Sequence, residues 1–248
     1  MPPLWTNSLL TASTITATPA EDSSYPDSWA GTLDSHPLIR TTRSQNLNQF
    51  AIVFDYASTK QFRGFALFNT NFRSVTVAHS ANNSAYTTIA NVRAPELDEW
   101  DGFVKVFHQA TFANRYIRLT IPTQGTYPNP AAYFELGYFG AFDNIYEFPV
   151  APNIPMQRNI QTSFIRSGED MAPGGGPLYL TDEYQMIIKN GQSSQMKTIV
   201  RAGEHKPFLW YNNLGNTQEV YLFRYSGGMR FQRGLTHIEV NPTFRTLA

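Results

Sequence analysis

The chain contains no cysteine. That excludes disulfides, thiolate metal sites and cysteine nucleophiles together, and leaves the redox compartment open. Charge is also scarce: 15% of the residues are Asp, Glu, Lys or Arg, and 19 basic residues balance 19 acidic ones. A chain of zero net charge has no electrostatic footprint for a nucleic-acid backbone or an anionic membrane. Neither a nucleic-acid partner nor membrane insertion is therefore expected. No run approaches the roughly 18 apolar residues of a membrane span. The opening MPPLWTNSLLTAST has no basic start and no sustained apolar stretch, so no secretory signal is expected there.

Aromatic residues, by contrast, make up 14% of the 248 residues. A chain of this length buries about three quarters of its unfolded surface and needs no staples. Sparse charge near neutrality favours association. Turn signals and short apolar runs alternate throughout, and helical periodicity is scarce, which predicts a mainly β fold. Strands are expected at 11–18, 50–54, 62–69, 73–78, 103–107, 114–121 and 131–138. Phe50, Ile52 and Phe54 alternate cleanly on one face. Residues 19–48 and 80–101 read as polar excursions. About seven strands by residue 142 make a full sandwich.

Residues 143–158 carry Pro149, Pro152 and Pro155 and read as a linker. This predicts an N-terminal β-sandwich over 1–142 and a smaller, β-rich α+β module over 159–248. In the latter, Ser194 caps an expected helix through Ala202, and aromatic strands follow at 207–211 and 219–225, with a last strand at 235–240.

The first 142 residues resemble the galactose-binding-like, discoidin-type jelly roll, in the form found in bacteriophage tail and baseplate proteins. The resemblance is carried by LLTASTITATPAEDSSYPDSWAG, by Ile39-Arg40-Thr41, Phe54-Asp55, Phe68-Asn69 and Val77-Ala78-His79-Ser80, and by the closing NRYIRLTI…AAYFELGYFGAF, with Arg118 and Gly137 in register. Ile39 stands where the family usually carries a tryptophan. The resemblance implies a jelly-roll sandwich in a virion structural protein, a distal-tail or adaptor-like component of a tail tip or baseplate. It also implies other tail proteins as partners, a symmetric ring of copies, and a location in the virion after assembly in the host cytoplasm. The alternative it implies is a free-standing module that binds a cell-surface glycan.

Chemistry in the sequence is thin. The five histidines, His36, His79, His108, His205 and His237, form no ligand-spaced pair, so no metal and no cofactor are expected. The run Glu96-Leu97-Asp98-Glu99-Trp100-Asp101 lacks the internal turn glycine of a calcium loop and reads as a solvated loop. Trp100 beside those acids is a candidate sugar platform, with Tyr127 a second, or else it closes the mouth of the barrel. No GxSxG elbow and no phosphate-cradling glycine loop occurs. With no catalytic partners to pair, a glycan hydrolase or esterase ranks last and the chain is expected not to be an enzyme. Tyr221, Phe223, Arg224, Tyr225, Arg230, Phe231 and Arg233 interleave basic and aromatic residues. That pattern suits base stacking or a protein interface, and zero net charge favours the interface. On the glycan-binding alternative, Trp100→Ala abolishes binding to a glycan array. Unchanged binding removes Trp100 from the site.

Overall fold

A computed structural model describes residues 4–6, 8–18, 26–31, 42–44, 49–70, 72, 74–93, 104–122, 134–147, 181–183, 186–189, 194, 208–214, 217–233 and 237–246. In chain order the strands are β1 (Leu4–Thr6), β2 (Leu9–Leu10), β3 (Thr14–Thr18), β4 (Thr42–Ser44), β5 (Gln49–Thr70), β6 (Ser74–Ser80), β7 (Thr87–Arg93), β8 (Val104–Pro122), β9 (Phe134–Phe142), β10 (Tyr146–Glu147), β11 (Thr181–Glu183), β12 (Met186–Lys189), β13 (Phe208–Leu214), β14 (Thr217–Arg233) and β15 (His237–Thr246). Every pairing among them is antiparallel. Among the described residues, no helix is long and apolar enough to cross a membrane.

The chain forms two compact units, Ser8–Asn144 and the combination of Met1–Asn7 with Ile145–Ala248. The first seven residues therefore leave the sandwich to which the sequence assigned them. The reason is pairing: Leu4–Thr6 lies antiparallel between Tyr146–Glu147 and Leu209–Tyr211. That register stacks the buried Leu4, Tyr211 and Val220 in one row and Thr6, Leu209 and Leu222 in the next. The expected helix beyond Ser194 lies outside the described residues.

The Ser8–Asn144 unit is built around β5. Phe50, Ile52, Phe54 and Tyr56 are buried on one face, alternating with half-buried Ala51, Val53 and Asp55, as a period of two requires. The strand does not run straight. Phe54 lies 13 residues before Leu67, about 43 Å along an extended strand. Phe139, the cross-strand partner of Leu67, nonetheless packs against Phe54, the two rings tilted and their centroids 4.5 Å apart. β5 must therefore double back. The turn sits between Asp55 and Lys60, where pairing with β8 breaks register and Ala57 takes a φ of 63°.

β8 pairs with both limbs of β5, through Tyr116–Pro122 on the first and Val104–Asn114 on the second. One ribbon thus supplies both layers of a jelly-roll sandwich. The larger layer runs β3, first limb of β5, second half of β8, β6, β7. The smaller runs first half of β8, second limb of β5, β9, with β2 and β4 both on the free edge of β9. The apolar interior takes Phe50, Ile52, Phe54, Val77, Ile117, Leu119 and Ile121 from the first layer and Phe65, Leu67, Leu136 and Phe139 from the second. A 3-10 turn at Asp27–Gly31 closes one side, pinned by the Ala17 amide donating to Asp27 Oδ2 at 2.9 Å.

The second limb of β5 is hemmed in by β8 and β9, and there Gly64 is obligatory. A Cβ at Gly64 would meet the His108 carbonyl oxygen at 2.3 Å and the Phe142 ring at 2.6 Å. Gly64→Ala is expected to destabilise the protein by about 2–4 kcal/mol. Ala57→Gly, which relieves a positive φ at an exposed position, changes stability by about 1 kcal/mol or less in either direction. Urea unfolding checks both. Near-equal effects of the two substitutions would contradict the close approach at Gly64.

Candidate ligand-binding surface

The turn in β5 is held by Asp55. Its carboxylate takes Arg115 in a bidentate pair, Nε to Oδ1 at 2.7 Å and Nη2 to Oδ2 at 2.8 Å. Oδ1 also accepts the Ala57 amide at 2.8 Å. The hydrogen bonds from Arg115 hold the Asp55 carboxyl below the usual carboxylate range, against a smaller upward push from burial. Asp55 is thus an anion whose lone pairs are used in shaping the bend.

Beside it, Ser80 at the end of β6 leads into a short loop locked from within. Asn82 Oδ1 accepts from Ser80 Oγ at 3.2 Å, from the Ser84 amide at 3.2 Å and from the Ala85 amide at 3.4 Å. This is the side-chain mimic of a backbone turn that asparagine favours. Asn83 follows with a φ of 61°, a conformation asparagine tolerates. Its Oδ1 accepts a short hydrogen bond from the Tyr86 hydroxyl. Desolvation pushes the Tyr86 phenol up, so it remains a donor at neutral pH.

Tyr86 meets the outer face of the larger layer. Register there places Asp55, Tyr116 and Ser80 in one row and Val53, Arg118 and Ala78 in the next. The Arg118 guanidinium carbon lies 3.8 Å from the Tyr86 ring centroid, and that of Arg115 lies 4.8 Å from the Tyr116 ring centroid. Both distances are well within the range of cation–π attraction. Asn82 and Asn83 remain exposed at the rim.

At the same end of the sheet, His79 stacks on Phe112 at 4.9 Å, and Phe112 stacks on Phe62 at 4.7 Å. Asn114 Nδ2 makes a short contact with His79 Nδ1. Burial lowers the pKa of His79, and the neutral ring offers that nitrogen as an acceptor. The arrangement is a fixed, partly open surface of two tyrosine rings, two guanidinium groups and exposed amides. Among the described residues no cluster of three or more His, Asp or Glu side chains could hold a metal ion.

Trp100 and Tyr127 lie outside the described residues. The strands flanking their loops are described. Arg93 pairs with Ser74 and Pro122 with Gln49, at the opposite end of the larger layer from Ser80 and Tyr86. The interface residues Tyr221, Phe223, Arg224, Tyr225, Arg230, Phe231 and Arg233 all fall in β14, where Tyr221 pairs with Trp210 and Phe223 with Phe208. Their side chains lie outside the described residues. The sequence reading placed no function on Tyr86. It treated Arg118 as a register marker only. The available signal was a charged residue alternating with Ile117 and Leu119 in a buried strand.

No protein-family model matches the chain, and none of the curated proteins is similar to it. Among solved structures the chain is similar to chitosan-binding module 1 of a Paenibacillus sp. chitosanase/glucanase, at 17% identity and a TM-score of 0.43, covering 54% of this chain and 98% of that one. It is similar to a Clostridium perfringens carbohydrate-binding module solved with GalNAc-β-1,3-galactose, at 11% identity and a TM-score of 0.42, covering 54% and 99%. It is also similar to a Streptococcus pneumoniae fucose-binding module, at 15% identity and a TM-score of 0.42, covering 54% and 94%.

The histidines and Asp55 act in different pH windows but with the same sign, each lowering stability as pH falls. Desolvation lowers the pKa of His79 and His108, so the unfolded chain binds more protons than the folded one just below pH 6.5, and stability falls as pH drops through that value. Asp55 has a depressed folded pKa. Its contribution is present above the unfolded value of 3.8 and is lost as pH falls through the folded value. Asp55→Asn is therefore expected to be less stable than wild type at pH 7, with a gap that narrows only below about pH 4. Urea midpoints at pH 7, 5 and 3.5 measure it, and a gap that stays constant across that range contradicts the assignment.

Proposed function

We propose that the chain is a non-catalytic glycan-binding protein, and that the surface around Tyr86, Tyr116 and Arg118 takes the sugar. The observation that carries this reading is the fixing of Tyr86. Its hydroxyl is tied to Asn83, its ring is backed by Arg118, and its loop is locked by Asn82. Pyranose recognition needs an aromatic plane that costs little to order, with amide and hydroxyl groups at its edge. A surface held in place before the ligand arrives meets that need.

Binding without turnover is supported by the state of Asp55. A carboxylate already filled by Arg115 and the Ala57 amide, with its pKa pushed down, is a poor general base and has no proton to give as an acid. The reading rests on this surface and not on the likeness to the solved modules.

Tyr86→Ala is expected to weaken glycan binding at least tenfold, about 1.4 kcal/mol, while leaving thermal unfolding of the sandwich little changed. A glycan array followed by titration calorimetry on the selected sugar measures it. Full binding by Tyr86→Ala, together with its loss in Trp100→Ala, would move the site from this surface to Trp100.

A further inference from the structure

We propose that the glycan taken by this surface is acidic, and that Arg118 is the residue that recognises its anionic group. This rests on the glycan-binding reading above and adds the class of ligand. β8 carries two arginines three residues apart, and their situations differ. Arg115 is matched by Asp55 through two charge-assisted hydrogen bonds. Arg118 forms no hydrogen bond and no ion pair among the described residues. Its Nε is the one buried side-chain nitrogen or oxygen there without a partner, and its terminal amines are not buried.

Among the described residues nothing neutralises Arg118. Its cross-strand neighbours are Val53 and Ala78, which have no side-chain acceptor. The nearest carboxylate by register is Asp55, one row away opposite Tyr116, and that group is filled. Among the described residues, Arg118 is thus left without a counter-charge beside the Tyr86 ring.

Tyr86 covers one face of the guanidinium at 3.8 Å, which fixes the plane of the fork and leaves approach along its edge. A fixed planar fork with two free amines fits two oxygens of a carboxylate or a sulfate group, end on and bidentate. Neutral hydroxyls do not need it. The same outer face presents Thr16, Thr76, Thr120 and exposed Asn91, and Thr76 Oγ1 already bonds Asn91 Oδ1 at 2.9 Å. These hydroxyls and amides suit the remaining hydroxyls of a sugar ring. The shared chemistry is a pyranose bearing an anionic oxygen pair, either a uronic acid or a sulfated sugar.

The test titrates the full chain with three oligosaccharides of equal length: an oligogalacturonate, a sulfated galactan and the neutral galactan. At least one acidic probe is expected to bind tenfold or more tighter than the neutral one, weakening as salt rises. Arg118→Gln is expected to remove that preference, so that acidic and neutral probes bind the variant alike. The tighter of the two acidic probes identifies the anionic group. In parallel, the Nε–H resonance of Arg118 in the wild-type protein is expected to shift when the preferred acidic probe is added. That readout holds even if Arg118→Gln fails to fold. Equal binding of neutral and acidic probes, or an unmoved Arg118 resonance, overturns this inference while glycan binding stands. Binding of no glycan at all by the wild-type chain overturns both.

Discussion

The doubling back of β5 is the constraint from which the sandwich and its surface follow. A single antiparallel ribbon of β5 and β8 leaves one face wet, and a wet face cannot hold Phe54, Phe65, Leu67 and Phe139 together. Bending the ribbon at Asp55–Lys60 brings its two limbs face to face and buries those side chains between them. The bend itself is unfavourable. It needs a break in the ladder and a positive φ at Ala57, the latter costing about 1 kcal/mol. Fully burying each large apolar side chain returns about 1.5–3 kcal/mol, and the interior takes many of them. Burial wins comfortably, and the bidentate Asp55–Arg115 pair sets where the fold occurs.

This division of labour explains which polar groups are free for a ligand. Asp55, Arg115, Asn82 and Asn114 have their hydrogen bonds inside the protein. They shape the bend, lock the loop after Ser80 and orient His79. Arg118 takes no part in that network. A charged side chain with no hydrogen bond or ion pair among the described residues, yet held in one place, stands out for that reason, and the ring of Tyr86 is what holds it. The surface is rigid because its loop folds on its own side chain, so order does not have to be supplied by the ligand.

Much of this fold was legible in the sequence where one face is buried and the other half-wet. The alternation of Phe50, Ile52 and Phe54 marked the first limb of β5, and NRYIRLTI marked the end of β8. The continuity of those strands was not legible. Residues 50–54 and 62–69 read as two strands because Ala57, Ser58 and Thr59 look like a turn. A turn is there, but it bends one strand and does not separate two. The same holds for 103–107 and 114–121, which are one strand paired along both limbs. β7 lay inside a stretch read as a polar excursion, because its edge position leaves Thr87, Thr88 and Asn91 exposed. β1 escaped notice because three residues carry no period. Only pairing with β10 and β13, far away in sequence, makes it a strand. The candidate surface was hidden for the same reason, since Tyr86 and Arg118 meet only through the β6–β8 register.

The claim that β5 folds over its own length is tested most directly by proximity between Phe54 and Phe139. With the two rings selectively labelled, a nuclear Overhauser spectrum of the intact chain is expected to show strong cross-peaks between their ring protons. Cross-peaks from Phe54 only to its neighbours within the larger layer, with none to Phe139, would mean that the ribbon stays open and that the sandwich described above does not form.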